Sequence, residues 1–455
     1  MTARTFFFDH AFLPEGWKKN VSVKVADSRI LSVEVGAAPA SAERVSGIAL
    51  PGMPNVHCHS FQRAMAGLAE RRGPANDSFW TWREVMYRFL DQLTPEDVEA
   101  ITAFAYMEML ERGFTSVGEF HYLHHAPDGS PYADLGEMAG RIVGGAQQTG
   151  IGLTMLPCFY LHGTFGGAPA NPGQRRFLNQ PDRFNALVAR TKEIALTDPS
   201  INVGIAPHSL RAVTPEGMHA VVEAARSGPI HIHAAEQIKE VEDCVAWSGR
   251  RPVEWLLDEM NADRRWCLIH STHMTEDETK RLARAGAVAG LCPLTEGSLG
   301  DGIFNASDYL RAEGRFGIGT DSNIDIDVAL ELRQLEYSQR LKHQGRNLIA
   351  TVEGESNGER LFTETLRGGT QALDRPIGAI EAGKHADIVV LDDAHPDFAS
   401  AGVNRWLDEW IFVAGRTAVR NVMARGKWVV QNGQHIHRES ITLKYKGALH
   451  GLANG

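Results

Sequence analysis

Thr214–Glu236, TPEGMHAVVEAARSGPIHIHAAE, reads as one helix followed by one strand. Thr214 offers a side-chain oxygen to cap the first turn. Pro215 fits the first helical position, where its missing N–H would have no partner anyway, and Glu216 complements the positive end of the helix. Gly228 permits a left-handed exit, and PIHIHAA continues as a short apolar strand. The same unit occurs upstream, where Thr94-Pro95-Glu96-Asp97 opens EAITAFAYMEMLERG, which stops at Gly113 before FTSVGEF. It occurs again downstream, where Thr275-Glu276-Asp277-Glu278 adds a capping box and the helix closes at Gly286 before AVAGLCP.

Strand and helix alternate in this way from about residue 51 to 370. Such alternation implies parallel strands joined by helical crossovers, either closed as a barrel or open as a doubly wound sheet. Periodicity does not choose between them. No G-x-G-x-x-G opens a helix after a strand and no G-x-x-x-x-G-K-[ST] occurs, which removes support for nucleotide-binding open sheets and favours the barrel. The flanks differ: residues 1–50 and about 377–435 hold short runs such as VSVKVA, ILSVEV, ADIVVLDD and GKWVVQ, separated by turn residues. One small β domain assembled from both ends is the economical arrangement.

Composition sets outer limits. The chain has 455 residues, 43% hydrophobic and 22% charged, proportions of an ordinary folded protein rather than a disordered one. Lys and Arg total 46 against 56 Asp and Glu, a net charge of −10 with no block of five or more like charges; that argues against a nucleic-acid partner. Five cysteines, Cys58, Cys158, Cys244, Cys267 and Cys292, are odd in number and form no C-x-x-C pair, which suits a reduced, cytoplasmic protein. Neither a signal-peptide core nor an 18-residue apolar run is present, so neither export nor a membrane span is expected.

The residues that carry chemistry cluster at strand ends. His57-Cys58-His59 follows PGMPNV, and in an extended strand residues i and i+2 point the same way, so both imidazoles would converge. Two imidazoles in register make half a zinc site; H-x-H also arises by chance in pairs of surface histidines. His233 with Glu236 three residues on, His270 after Leu268-Ile269, and Asp321 after GIGT each end a further apolar strand. In a barrel the C-terminal strand ends surround one pocket. Any one such residue is ordinarily a buried group satisfied by backbone, but four strands that all end in His or Asp are hard to explain as packing.

In this combination, His57-x-His59, His233 with Glu236, His270 and Asp321, the sequence resembles the amidohydrolase superfamily, and within it the mononuclear-zinc aminohydrolases. The flanks ALPGMPNVHCHS and GAIEAGKHADIVVLDD carry the same likeness, which covers essentially the whole chain. The resemblance implies an α/β fold, a (β/α)8 TIM-like barrel over 51–376, with a composite β-sandwich from 1–50 and 377–455. It implies one divalent metal, zinc, on His57, His59, His233 and Asp321, with iron or manganese as alternatives. Catalysis would fall to Asp321 as proton acceptor, Glu236 as proton shuttle and His270 as a stabiliser of the intermediate. Binuclear relatives bridge their metals with a carboxylated lysine, and the only lysine between residues 60 and 230 is Lys192, in the helical-looking ARTKEIAL. Glu119 in GFTSVGEF remains as a conceivable bridge.

Within that branch, PGMPNVHCHSFQRAMAGL, SFWTWREVMY, GEFHYLHH and APHSLRAV resemble the deiminases of N-formimino-L-glutamate, which release ammonia and leave N-formyl-L-glutamate in histidine degradation. A substrate with two carboxylates needs cationic anchors, preferably arginines with their bidentate fork. Arg83 and Arg211 are the candidates, with Gln62, Tyr122 and His208 completing the hydrogen bonds. The alternative is an aminohydrolase of a purine-like or other heterocyclic substrate, which needs an aromatic slot more than two arginines. A scaffold without metal or activity is a third reading. The resemblance also suggests a homodimer.

Overall fold

The computed structural model describes residues 3–73, 76–400 and 402–454. Four strands come first: β1 (Arg4–Leu13), β2 (Gly16–Ala26), β3 (Arg29–Val35) and β4 (Glu43–Pro51). Gly52 alone separates β4 from β5 (Met53–Cys58). A side chain there would collide with Thr115, whose Oγ1 lies 2.2 Å from where a Cβ would sit.

The barrel follows as β5, β6 (Phe114–His121), β7 (Gly152–Phe159), β8 (Ile201–Val203), β9 (Ala206–Pro207), β10 (Ile230–Ala234), β11 (Trp266–His270), β12 (Val288–Leu291) and β13 (Arg315–Ile318). Pairing is parallel throughout, β5 to β8 forming one arc and β10 to β13 another, with β9 beside β7. The arcs join on both sides. Ile205 and Ser209 bridge to Ile230 and His233, and Cys58 bridges to Asp321. β8 and β9 are therefore two halves of one barrel strand, and the cylinder closes with eight. Every residue of β5, β6, β7, β10, β11 and β12 is buried, because a barrel strand faces the interior on one side and helices on the other. Val56, Cys267, Ile269, Val288 and Cys292 fill the interior.

The helix starts follow the sequence. Thr94, Thr214 and Thr275 each accept a backbone N–H of the first turn, from Asp97, Gly217 and Glu278. The helix after Thr214 ends sooner than its pattern suggests, at Ala224. Ala225 leaves the helical region with ψ 73°, and Arg265 takes up the released carbonyl, its Nη2 donating to Ala225 O at 2.7 Å and its Nε to Gly228 O at 3.2 Å.

The termini meet in one sheet. β14 (Ile388–Leu391), β15 (Val419–Ala424), β16 (Lys427–Gln431) and β17 (Gln434–His435) return beside β4, giving the order β17-β16-β15-β14-β4-β1-β2-β3. Phe6 on β1 touches Trp428 on β16 with ring centroids 5.7 Å apart. Those strands stand four positions apart, about 19 Å in a flat sheet, so the sheet folds over its own apolar side chains. They include Phe6, Phe8, Val21, Val23, Ile388 and Val390. Two pieces of the expected terminal domain lie on the barrel instead. Trp410 and Ile411 join the barrel core, and the last helix, Arg438–Asn454, sets Ile441 against Ala103 and Met107 and stacks Tyr445 on Phe104 at 3.9 Å. Among the described residues no helix is long and apolar enough to cross a membrane.

Candidate active site

His57 lies in β5 and His59 just past its end, two residues apart and therefore on one side of the strand, with ring centroids 4.6 Å apart. His233 comes from β10, His270 from the last position of β11, and Asp321 from the turn after β13. His57 Nε2 lies 3.2 Å from His233 Nε2 and 3.3 Å from Asp321 Oδ1, and His59 Nε2 lies 3.4 Å from that same oxygen. Ligands at zinc distances would stand about 3.3 Å from one another around a tetrahedron, and these three pairs have that spacing; His57, His59 and Asp321 form one close group and His57, His233 and His270 a second that shares His57. His270 Nε2 and Cys292 Sγ border the same cluster.

The surroundings fix which ring nitrogens face inward. Phe120 O accepts from His59 Nδ1 at 2.7 Å and His208 O from His233 Nδ1 at 2.9 Å. Both protons therefore sit on Nδ1, leaving both Nε2 lone pairs toward the cluster. Burial, reinforced by neighbouring rings, holds His57 down to about 3 and pushes His233 well below the usual range; it lowers His59 too. Neutral imidazole is the form that binds a metal. Burial alone would raise Asp321, but the hydrogen bond to His57 and the nearby histidines hold its carboxyl below the ordinary carboxylate range. Such a donor set fits a divalent ion.

Around this cluster sit groups that move or hold protons. Glu236 Oε1 lies 3.6 Å from His270 Nε2, whose far nitrogen is 3.2 Å from Glu296 Oε1. His270 Nε2 lies 3.9 Å from Asp321 Oδ2 and has no hydrogen-bond partner. Burial raises Glu236 above the ordinary glutamate range despite Arg211, whose Nη2 is 3.3 Å from Glu236 Oε2. Glu240 fixes the turn after β10 by accepting the backbone N–H groups of Ala235 and Glu236. The backbone is strained here: Ala235, His270, Ser271 and Asp321 all have positive φ, 52°, 69°, 50° and 42°. Non-glycine residues adopt this conformation at a cost that surrounding packing must cover, and such outliers gather at functional sites.

Every proposed substrate contact opens onto one pocket with the cluster: Gln62, Arg83, Tyr122, His208 and Arg211, beside His59, His233, Glu236, His270 and Asp321. Gln62 Nε2 donates to Tyr122 Oη at 2.7 Å, and His208 Nδ1 pairs with Ser209 Oγ at 3.0 Å. Arg83 stacks over Trp80 at 4.7 Å and Tyr87 at 5.7 Å. Among the described residues it has no carboxylate partner, and its Nε is buried without a hydrogen bond. Sequence reasoning missed the aromatic wall, Phe79, Trp82, Tyr87, Tyr160 and Phe177. Phe79 and Trp82 stand in the SFWTWREVMY stretch, so an apolar face beside Arg83 was the available signal. Glu240 and Glu296, which fix Glu236 and His270, carried no signal at all.

Glu119 is not part of the cluster. Its Oε1 accepts from Ser60 N at 2.9 Å and Ser60 Oγ at 2.8 Å, and its Oε2 accepts from Tyr106 Oη at 2.9 Å. These bonds pin the turn after His59, and they turn the carboxylate away from any bridging role. His124 and His125 pair with the carbonyls of Cys158 and Leu178 and brace loops.

Comparison with known proteins places this geometry. Residues 48–429 match the model of the amidohydrolase family, and residues 4–47 match the N-terminal domain described as that of the formimidoylglutamate deiminase HutF. A formimidoylglutamate deiminase from Pseudomonas aeruginosa is 49% identical over 435 residues, 95% of this chain and 96% of the relative. An 8-oxoguanine deaminase from the same organism is 27% identical, over 90% of this chain and 88% of its own length. The crystal structure of an amidohydrolase from Brucella melitensis superposes with a TM-score of 0.95 at 50% identity, covering 99% of this chain and all of that one. With its barrel, its histidine and aspartate cluster and a match spanning most of its length, the chain belongs to the amidohydrolase family.

Proposed function

We propose that the protein hydrolyses N-formimino-L-glutamate to N-formyl-L-glutamate and ammonia, a step of histidine degradation, with one zinc ion on His57, His59, His233 and Asp321. The observation that carries this reading is Arg83. A half-buried guanidinium without a carboxylate partner among the described residues opens onto the same pocket as the His/Asp cluster, and a cation in that position matches an anionic substrate. Arg211 is the second anchor. The relative from Pseudomonas aeruginosa bears the name of this activity. A planar uncharged heterocycle would use the aromatic wall but leave Arg83 without an anion.

Bound at its four ligands, zinc supplies water acidified from a pKa of about 15.7 to about 7. Asp321 takes the proton that the attacking water loses. Glu236, whose carboxyl burial raises to about 7, shuttles hydrogen to the formimino nitrogen, so that the C–N bond breaks with ammonia rather than an amide anion as leaving group. His270, oriented by Glu296, donates from Nε2 to the oxygen that develops charge on the formimino carbon. Water contributes both hydrogens needed to turn =NH into NH3, and its oxygen stays in the formyl group.

The test is product analysis with metal-replete protein and N-formimino-L-glutamate. Ammonia with N-formylglutamate supports the reading; glutamate with formamide, or turnover of purines and pyrimidines instead, overturns it. Glu236→Gln is expected to lower kcat by about 10²- to 10⁴-fold, the usual contribution of a positioned acid or base, while metal content stays at one equivalent.

A further inference from the structure

The opposite end of the barrel carries a second concentration of charge. Arg226, Arg264 and Arg265 precede β10 and β11, Arg315 opens β13, and Arg367 and Arg375 come from and after the last barrel helix, Asn357–Leu373. All six line one cleft at the N-terminal strand ends, and among the described residues Asp374 is the only acidic one in that lining. The chain as a whole carries more acid than base, so the cleft runs against the average. Five of the six form no ion pair among the described residues; only Arg367 does, with Glu364 at 3.1 Å.

The cleft is built rather than accidental. Gln371 ties its floor, donating to Arg264 O at 2.9 Å and Gly286 O at 2.7 Å and accepting from Arg315. Arg265 is held by the carbonyls of Ala225 and Gly228. Arg375 is only 6% exposed; its Nη1 donates to Leu153 O and Ser200 O, while Nε and Nη2 have no partner. A concave site lined by one sign of charge concentrates counter-ions, and guanidinium forks match phosphate and carboxylate oxygens. Among the described residues no aromatic side chain lines it, so none of them offers a nucleobase a stacking face.

We propose that this cleft binds a compact anion of two or more charges, a pyrophosphate or a small polycarboxylate, remote from the catalytic pocket. The test is calorimetric titration of the metal-loaded full chain with pyrophosphate and, separately, with citrate, at about 0.15 M salt. We expect one saturable site, weakened at least 10-fold in Arg226→Ala/Arg264→Ala. These exposed side chains make no ion pair among the described residues, and their loss should leave deiminase kinetics unchanged. Pyrophosphate alone, or citrate alone, would identify the anion class. The proposal is overturned if neither anion binds saturably, if the double variant binds as well as the parent, or if binding is lost in Arg211→Met and kept in the double variant, which would put the anion in the catalytic pocket.

Discussion

Inside the terminal sheet the enclosed side chains are Phe6, Phe8, Val21, Val23, Ile388 and Val390; at the catalytic rim of the barrel they are His57, His59, His233, Glu236, His270 and Asp321. Both regions are strands packed away from water. In the sheet, burial is itself the stabilising term, about 1.5–3 kcal/mol for a large apolar side chain. At the rim the same burial costs free energy, since each group loses hydration and is repaid only by partners, and four residues there also hold positive φ. The sheet stabilises, and the rim draws on that stability for chemistry.

The comparison breaks if the rim proves necessary for folding or the sheet for turnover. The largest effect is expected from Asp321→Asn, which removes both a metal ligand and the proposed proton acceptor. Turnover should fall at least about 10³-fold, bound metal measured by mass spectrometry should fall with it, and circular dichroism should still report a folded chain. Phe8→Ala is the converse. Phe8 is fully buried, and its truncation should cost about 3–5 kcal/mol in denaturant unfolding, while activity per folded molecule stays at the parent value. A third variant tests the pocket: Arg211→Met should raise KM for the formimino substrate by about 10- to 100-fold, the worth of a charged hydrogen bond, with metal content unchanged. An unaltered KM would remove Arg211 from the site.

The same contrast explains what was legible in the sequence. The threonine caps, the glycine exits and the strand alternation are local rules, and they place the barrel helix starts and the terminal strands, though the helix after Thr214 ends at Ala224, short of Gly228. His57 and His59 were legible because period two is also local. The grouping of His233, His270 and Asp321 followed from where barrel strands end. Nothing local, however, marks Glu240 as the clamp on the Ala235–Glu236 turn, Glu296 as the partner of His270, or Glu119 as a brace for Ser60 and Tyr106. The Glu119 and Glu296 assignments depend on which carboxylate a tertiary contact brings within about 3 Å, whereas Glu240 is only four and five residues from the groups it holds, in a turn without a cap signature. The last helix was missed for a related reason: Ile441 and Tyr445, one turn apart, find their partners on the helix Pro95–Glu111, more than 300 residues earlier.

One residue sharpens the comparison from the sheet side, with the smallest expected effect. Asp387, immediately before β14, is a buried carboxyl in the apolar region: Oδ1 accepts the N–H of Arg425 at 2.7 Å, and Oδ2 has no partner. Burial outweighs that hydrogen bond and the charges of Arg375 and Arg425, and it lifts the group from 3.8 to about 6. Below about pH 3 the carboxyl is protonated whether folded or unfolded and takes nothing from stability. As pH rises toward 6 the unfolded chain ionises first, and above 6 the folded chain bears the full penalty, about 1–3 kcal/mol. Asp387→Asn keeps an acceptor for Arg425 and carries no charge. The variant should therefore match the parent in urea unfolding at pH 3 and exceed it by about 1 kcal/mol at pH 7.5. A less stable variant at pH 7.5 would mean that Arg375 needs this carboxylate as its counter-ion, and that the sheet's junction with the barrel tolerates buried charge as the catalytic rim does.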